Sequence, residues 1–363
     1  MTRFFAGEQG YEQEIAGFQT GVRHRPRVVV AASSAADVAG AVLLAREKGL
    51  SVAVQATGHG ARVPADGVLV TTGRMAEVLV DPVARTASVG AGARWSSVIE
   101  RAAGHGLAPL AGSSPGVGAV GYTLGGGIGL LGRTYGYAAD HATAFDVVTA
   151  DGRQRHVTAD TEPDLFWALR GGRAAVGVVT RMTVGLVPVP IVYGGGLHFD
   201  AANAEDVLAA FRALTAAAPE TLTSSVGAVG LPPVEAIPEP LRGRHVLHVR
   251  LASTVPLEPA LLAPLRAIGP LTDRVGEVAA AEVGSIYGDP DFPHAYVGDN
   301  VFLGSLPTDV LDAVRTIAGP GADVPCVVDI RHLGGAMSRP PAVPNAVPYR
   351  EAAYLLRVLS PAE

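Results

Sequence analysis

Cysteine and lysine are almost missing from this chain. Its 363 residues hold one cysteine, Cys326, and one lysine, Lys48. A lone cysteine excludes an internal disulfide and any paired-cysteine metal or redox motif. Cys326 lies in the apolar run 324–330, where a buried core thiol is expected rather than a nucleophile. Charge of either sign is also sparse and unclustered: 28 Lys and Arg stand against 34 Asp and Glu, a formal net charge of −6 with no acidic tail or basic block. Neither nucleic acid nor an anionic membrane surface is therefore expected as a partner. Residues 1–18 lack the apolar core of a secretory leader. HExxH and DxDxG metal patterns are missing too. His245 and His248, three apart on a predicted strand, fall on opposite faces and form no metal pair. The stretch 102–132 has no charged side chain, as a membrane span would, but it carries eleven glycines with Pro109 and Pro115. A spanning helix does not tolerate that load, so a soluble, cytoplasmic protein is expected, of a globular composition with 48% hydrophobic and 17% charged residues.

The length suggests two domains. Up to about Pro188, short strands alternate with helices. Residues 27–31 read as a strand, and Ser34 to Asp37 as a capping start for a helix ending at Gly49. Residues 51–55 read as a short buried strand, 68–71, 78–80 and 86–89 as further strands, and 95–102 as a helix with an apolar stripe. Asp151-Gly152 marks a hairpin between 145–149 and 153–157. A short helix, 164–169, and a strand, 176–184, complete this half. Trp95 and Trp167, on helix faces, are expected in the core. Beyond Pro188 and Pro190 the pattern becomes an α+β layer. Strands are predicted at 192–199, 244–251, 296–303, 325–332 and 349–359, and helices at 205–216, 259–267 and 308–317. The alternation in 244–251 suits an antiparallel sheet with one covered face.

Three glycine-bearing segments could carry chemistry. Gly116-Val117-Gly118-Ala119-Val120-Gly121 matches the dinucleotide G-x-G-x-x-G pattern, which works only between a strand and a helix; neither flank is predicted here. The loop from Gln55 to Gly60 follows a predicted strand. Its Gly58 and Gly60 leave main-chain N–H groups free to converge on an anion, with His59 between them; a plain glycine turn with a surface histidine is the alternative. The neutral run 112–132 reads as backbone set against a flat, uncharged ring system, or as an ordinary pair of glycine-rich loops.

Taken in order, Gln55–Gly60, 111–129, 132–140, 147–152, 164–172 and Gly177-Val178-Val179-Thr180 resemble the FAD-linked oxidases of the vanillyl-alcohol-oxidase/PCMH superfamily, and within it the berberine-bridge-enzyme-like oxidoreductases. The resemblance is dense over 27–188 and thinner through 329–335 to Arg350. It implies an α+β architecture: a PCMH-type, two-subdomain FAD-binding domain over residues 22–190 and a substrate domain over 191–363, with an antiparallel sheet covered by helices. It implies that Gln55, Ala56, Thr57, Gly58, His59 and Gly60 form the pyrophosphate loop, and that His59 joins the 8α-methyl group of FAD. Gly112, Ser113 and Ser114 match a segment that in many relatives adds a second link through cysteine. Ser114 stands at that position, so a single attachment through His59 is expected. Gly118, Gly121, Tyr122, Asp140, Val178 and Val179 match flavin-contacting positions. His141 replaces a more usual asparagine, and Ala175-Val176 a usual Asn-Phe pair.

Relatives continue beyond the segment matched by 353–359 with a stretch that often supplies an active-site tyrosine, and by that comparison the second domain is C-terminally short. The catalytic base is therefore not assigned. Tyr122, Tyr137, His141 and Tyr349 are the aromatic or ionisable candidates. The activity implied is oxidation of an alcohol on a small molecule, a sugar or secondary metabolite, by hydride transfer to flavin N5 with oxygen as electron acceptor. A flavin-binding but catalytically impaired homologue, and an NAD-dependent dehydrogenase, are the alternatives.

Overall fold

The computed structural model describes residues 1–173 and 176–362; Ala175, of the expected Ala-Val departure, lies outside them. The first sheet is made of β1 (Thr2–Phe4), β2 (Val28–Ala31), β3 (Val52–Gln55) and β4 (Val68–Thr71), in the order β1-β2-β4-β3. β2 and β3 both run parallel to β4. The crossover between β2 and β3 is the helix Ala35–Lys48. Ser34 Oγ accepts from the Asp37 N–H at its start, and Gly49 ends it in the left-handed conformation at φ 60°. β2 and β4 are buried throughout, as the runs VVVA and VLVT require. β3 departs from expectation. It is an edge strand, and Val52 and Val54 stand 37% and 42% exposed because no neighbour covers their face.

The second sheet holds β5 (Val78–Asp81), β6 (Thr86–Gly90), β7 (Ala142–Val148), β8 (Gln154–Val157) and β9 (Val178–Gly185), in the order β5-β6-β9-β7-β8. β7 and β8 form the hairpin read from Asp151-Gly152. The helix Trp95–Ala103 packs Trp95, Val98, Ile99 and Ala102 onto this sheet, with Trp95 wholly buried. Trp167 is not core: it is 49% exposed, because the short helix Pro163–Leu169 turns Phe166 and Leu169 inward instead.

The third sheet contains β10 (Ile191–Asp200), β11 (Leu222–Gly230), β12 (His245–Ser253), β13 (Thr272–Asp273), β14 (Gly276–Ala279), β15 (Tyr296–Leu303), β16 (Val327–His332) and β17 (Tyr354–Pro361), all paired antiparallel. Its two faces differ in chemistry. Leu197, Phe199, Val226, Leu247, Val249, Val328 and Ile330 meet the helices Ala204–Ala217, Pro259–Ala267 and Thr308–Ile317 in one apolar core. The alternate residues, among them Ser225, His248, Arg250, Asp329, Arg331 and Arg357, occupy the opposite face. Cys326 is only partly buried at the rim of this core, with its thiol against the Ile317 carbonyl. Among the described residues, no helix is long and apolar enough to cross a membrane.

Candidate functional site

The loop after β3 is held from below by the N-terminal segment. Gln55 is buried, and its side-chain amide donates to the carbonyls of Ile15 and Ala16 while its Oε1 meets His24 Nε2 at 3.0 Å. The Phe18 and Gln19 N–H groups donate to the carbonyls of Thr57 and Gly58. Gly58 sits at φ 76°, and a β-carbon there would come within 2.7 Å of Gly17 Cα, so both conformation and space require glycine. Among the described residues, the N–H groups of Ala56, Thr57, Gly58, His59 and Gly60 have no protein acceptor. A run of unpaired main-chain donors is the makeup of an anion nest.

His59 is packed rather than displayed. Its ring stacks on Phe18, with centroids 3.8 Å apart and 12° between planes. Nδ1 lies 2.9 Å from Thr57 Oγ1, which also accepts from the Gly118 N–H. Nε2 is buried without a partner. Burial, reinforced by the positive Arg94 and by His294, pulls the imidazole pKa down to about 4, so the ring is neutral at pH 7. A β-carbon placed on Gly116 would lie 3.8 Å from His59 Nε2, 3.8 Å from Ser114 Oγ and 3.7 Å from Arg94 Nη1. The structure thus brings His59, Ser114 and the bare backbone of Gly116 to one point. The helix Ala119–Leu124 does follow Gly118, contrary to the sequence reading, but no strand precedes Gly116.

Beside this point lies a cavity of about 570 Å³, lined from the first half of the chain by Gln19, His59, Gly60, Tyr122, Gly125, Gly127 and Ile128. Tyr296, Arg331, Leu355 and Arg357 line it from the third sheet. Glycines near the cavity play two different parts. Gly60 and Gly121 face open space, as backbone approaching a ligand would. Gly112 and Gly127 instead make room for the Tyr122 ring: β-carbons there would come within 2.9 and 2.6 Å of it. Tyr122 stands edge-on to Trp95 at 5.6 Å, and its hydroxyl is buried without a partner. Burial raises its pKa above the ordinary tyrosine value, so it remains protonated.

Other residues named from the sequence lie elsewhere. Val178 and Val179 are buried in β9, paired with Val148 and Val147 and packed into two apolar cores. Asp140 binds protein: Tyr137 N–H at 2.9 Å, Asn345 Nδ2 at 2.7 Å and Arg350 Nη2 at 2.5 Å. Tyr137 is 3% exposed under the Arg350 guanidinium. His141 Nε2 lies 2.8 Å from the Tyr135 carbonyl oxygen. Tyr349 is exposed and stacked on Phe302. Ser113 Oγ donates to Asp289 Oδ2 at 2.5 Å. Of the four candidate bases, Tyr122 is the one lining the cavity.

Sequence reasoning missed Phe18, Gln19, Tyr296, Arg331 and Arg357. For Arg331 a signal existed: in 327–332, Asp329 and Arg331 alternate with apolar residues, which places charge on one face of a strand.

Comparison with known proteins agrees with this architecture. Residues 26–158 match the family described as FAD binding domain. The chain is 35% identical over 169 residues to (R)-6-hydroxynicotine oxidase of Paenarthrobacter nicotinovorans, covering 46% of this chain and 37% of that protein. It is 31% identical over 298 residues to the FAD-linked oxidoreductase ZEB1 of Gibberella zeae, covering 77% and 49%. The matches thus span less than half the length of these curated relatives. Among solved structures, BBE-like 1 of Physcomitrella patens superposes with TM-score 0.83 at 20% identity, over 100% of this chain and 82% of that one. The carbohydrate oxidase of Microdochium nivale gives 0.84 at 19%, over 100% and 80%. A cradle of unpaired amides and a buried, unpartnered imidazole nitrogen fit FAD; residues 26–158 match an FAD binding domain, and the fold of the described chain is shared with a berberine-bridge-enzyme-like protein and a carbohydrate oxidase.

Proposed function

We propose that this protein is an FAD-dependent oxidoreductase that oxidises an alcohol group of a small molecule, with the FAD joined to His59 and oxygen as the electron acceptor. The observation that carries the reading is His59 Nε2: neutral, buried, unpartnered and aimed at the bare backbone of Gly116. Nδ1 is engaged by Thr57, so Nε2 is the ring atom open to a further bond. The unpaired N–H groups of Ala56 to Gly60 would hold the phosphates. When bound, FAD supplies an acceptor for hydride at its N5. Phe18 fixes the plane of His59, and Tyr296, whose hydroxyl donates to the His59 carbonyl at 2.6 Å, ties the loop to the third sheet. Tyr122, kept protonated by burial, offers a hydrogen-bond donor rather than a base.

The relatives act on different compounds, a hydroxynicotine in one case and a carbohydrate in another, so the reaction class is proposed ahead of the substrate. The test is anaerobic bleaching of the purified protein's flavin absorbance by a panel of alcohols, followed by readmission of air. Bleaching by at least one alcohol and return of colour with oxygen are expected. A colourless protein, or a flavin that no alcohol bleaches, contradicts the reading.

A further inference from the structure

The inner face of the third sheet carries more positive charge than its own acids balance. Asp329 is buried and shared by two arginines: its Oδ1 accepts from Arg250 Nη1 at 2.9 Å and its Oδ2 from Arg331 Nε at 2.7 Å. The Arg250 guanidinium also lies over the Tyr287 ring, 4.4 Å from its centroid, with its Nε buried and unpartnered. Gly227 leaves the room Arg250 needs, since a β-carbon there would overlap its Nη2. Arg331 differs. Its Nε is used, but its Nη groups meet no protein acceptor among the described residues, and its side chain, 17% exposed, lines the cavity beside Tyr122.

Arg357 lines the same cavity and forms no ion pair among the described residues. It stands opposite Asp329 in the register, and Arg331 opposite Leu355. The two cavity arginines are thus diagonal neighbours on one face, roughly 7–8 Å apart in backbone position. Of the other acids nearby, Asp289 acts through space on both arginines but is bonded to neither. Asp289 accepts from Ser113, and Asp299, 91% exposed at the rim, lies 3.7 Å from Arg62. Drawing a guanidinium out of water without an acid to meet it is costly. Arg357, with no acid bonded to it, and the unused Nη groups of Arg331 beside it on one cavity wall are best explained by an anion that arrives from outside, and the planar fork of arginine matches a carboxylate.

We propose that the substrate carries a carboxylate beside its alcohol, and that Arg331 and Arg357 hold that carboxylate against the third sheet. This rests on reading the cavity as the substrate chamber of the flavin site. Arg331, fixed by Asp329, gives a rigid contact, and Arg357 a movable second one.

Calorimetric titration of the purified protein with matched pairs, mandelate against mandelamide and gluconate against glucose, tests this without using turnover. At least one carboxylate should bind tenfold or more tighter than its neutral twin, and added salt should weaken it. R357Q should erase most of the preference while melting as the wild type does, and R357K should restore part of it. Neutral twins that bind as tightly, or an R357Q protein that keeps the preference, overturn the proposal. A colourless protein with an Arg357-dependent carboxylate preference keeps the carboxylate contact but sinks the flavin reading, and with it the claim that the carboxylate belongs to a flavin substrate. A yellow protein with no preference does the reverse.

Discussion

The imidazole of His59 and the phenyl ring of Phe18 lie face to face, 3.8 Å between centroids and 12° from parallel. Phe18 precedes β2 and His59 follows β3; the stacking fixes the plane of the imidazole, and the Nδ1 contact with Thr57 Oγ1 leaves Nε2 as the open nitrogen. Phe18 is in turn fixed by its N–H to the Thr57 carbonyl and by the His294 N–H to its own carbonyl. Phe18→Ala should leave the fold intact but let the imidazole tilt. Flavin attachment should then slow several-fold, measured as the fraction of flavin retained after denaturation in samples taken during reconstitution with FAD.

The two tryptophans make a paired test of the burial pattern. Trp95 is wholly enclosed, whereas Trp167 is 49% exposed. Trp95→Ala should cost about 3–5 kcal/mol in urea unfolding. Trp167→Ala should stay within about 0.5 kcal/mol of wild type.

Asp140 and Arg350 form a largely buried ion pair that holds the proline-rich segment after Arg339 against the first half of the chain. Removing one partner strands the other away from water. Asp140→Ala should destabilise by about 3–5 kcal/mol, read from the urea midpoint, and limited proteolysis should then cut between 339 and 350.

His332 predicts a pH dependence. Its Nε2 lies 3.0 Å from Arg133 Nη1, and burial together with that cation depresses its pKa to about 3. The unfolded chain takes up the proton near pH 6.5 and the folded chain does not. This contribution is therefore fully present above pH 6.5 and lost as the pH falls toward 3, by up to about 1.4 kcal/mol per pH unit. The urea midpoint of His332→Gln should fall less steeply between pH 6.5 and 4.5 than that of wild type.

Local signals were read well where they were strong. The helix Ala35–Lys48 has a serine cap and a glycine stop, and the strand Tyr296–Leu303 and the helices Pro259–Ala267 and Thr308–Ile317 appear at their expected limits. The change of pattern near Pro188 announced the α+β layer beyond it, whereas the architecture as a whole was read from the resemblance. The helix Ala119–Leu124 escaped notice because glycines surround it and it is too short to show a period. β11 escaped because Ser224, Ser225, Gly227 and Gly230 dilute its alternation.

The site was legible only in part. Loop 55–60 announced itself through glycine and histidine in sequence. The opposite wall is assembled from β15, β16 and β17, and only their pairing brings Tyr296, Arg331 and Arg357 together. Asp140, Val178 and Val179 were named through resemblance, yet here an ion pair and two apolar cores account for their contacts.

The central claim is that His59 Nε2 is the atom to which FAD becomes joined. Acid precipitation of the purified protein, with mass spectrometry of the peptide containing His59, tests it directly. Flavin should stay with the pellet, the peptide should carry the added mass of FAD on His59, and His59→Ala should release all flavin to the supernatant. Flavin that leaves the wild-type protein on acidification, or stays with the His59→Ala protein, would contradict the account.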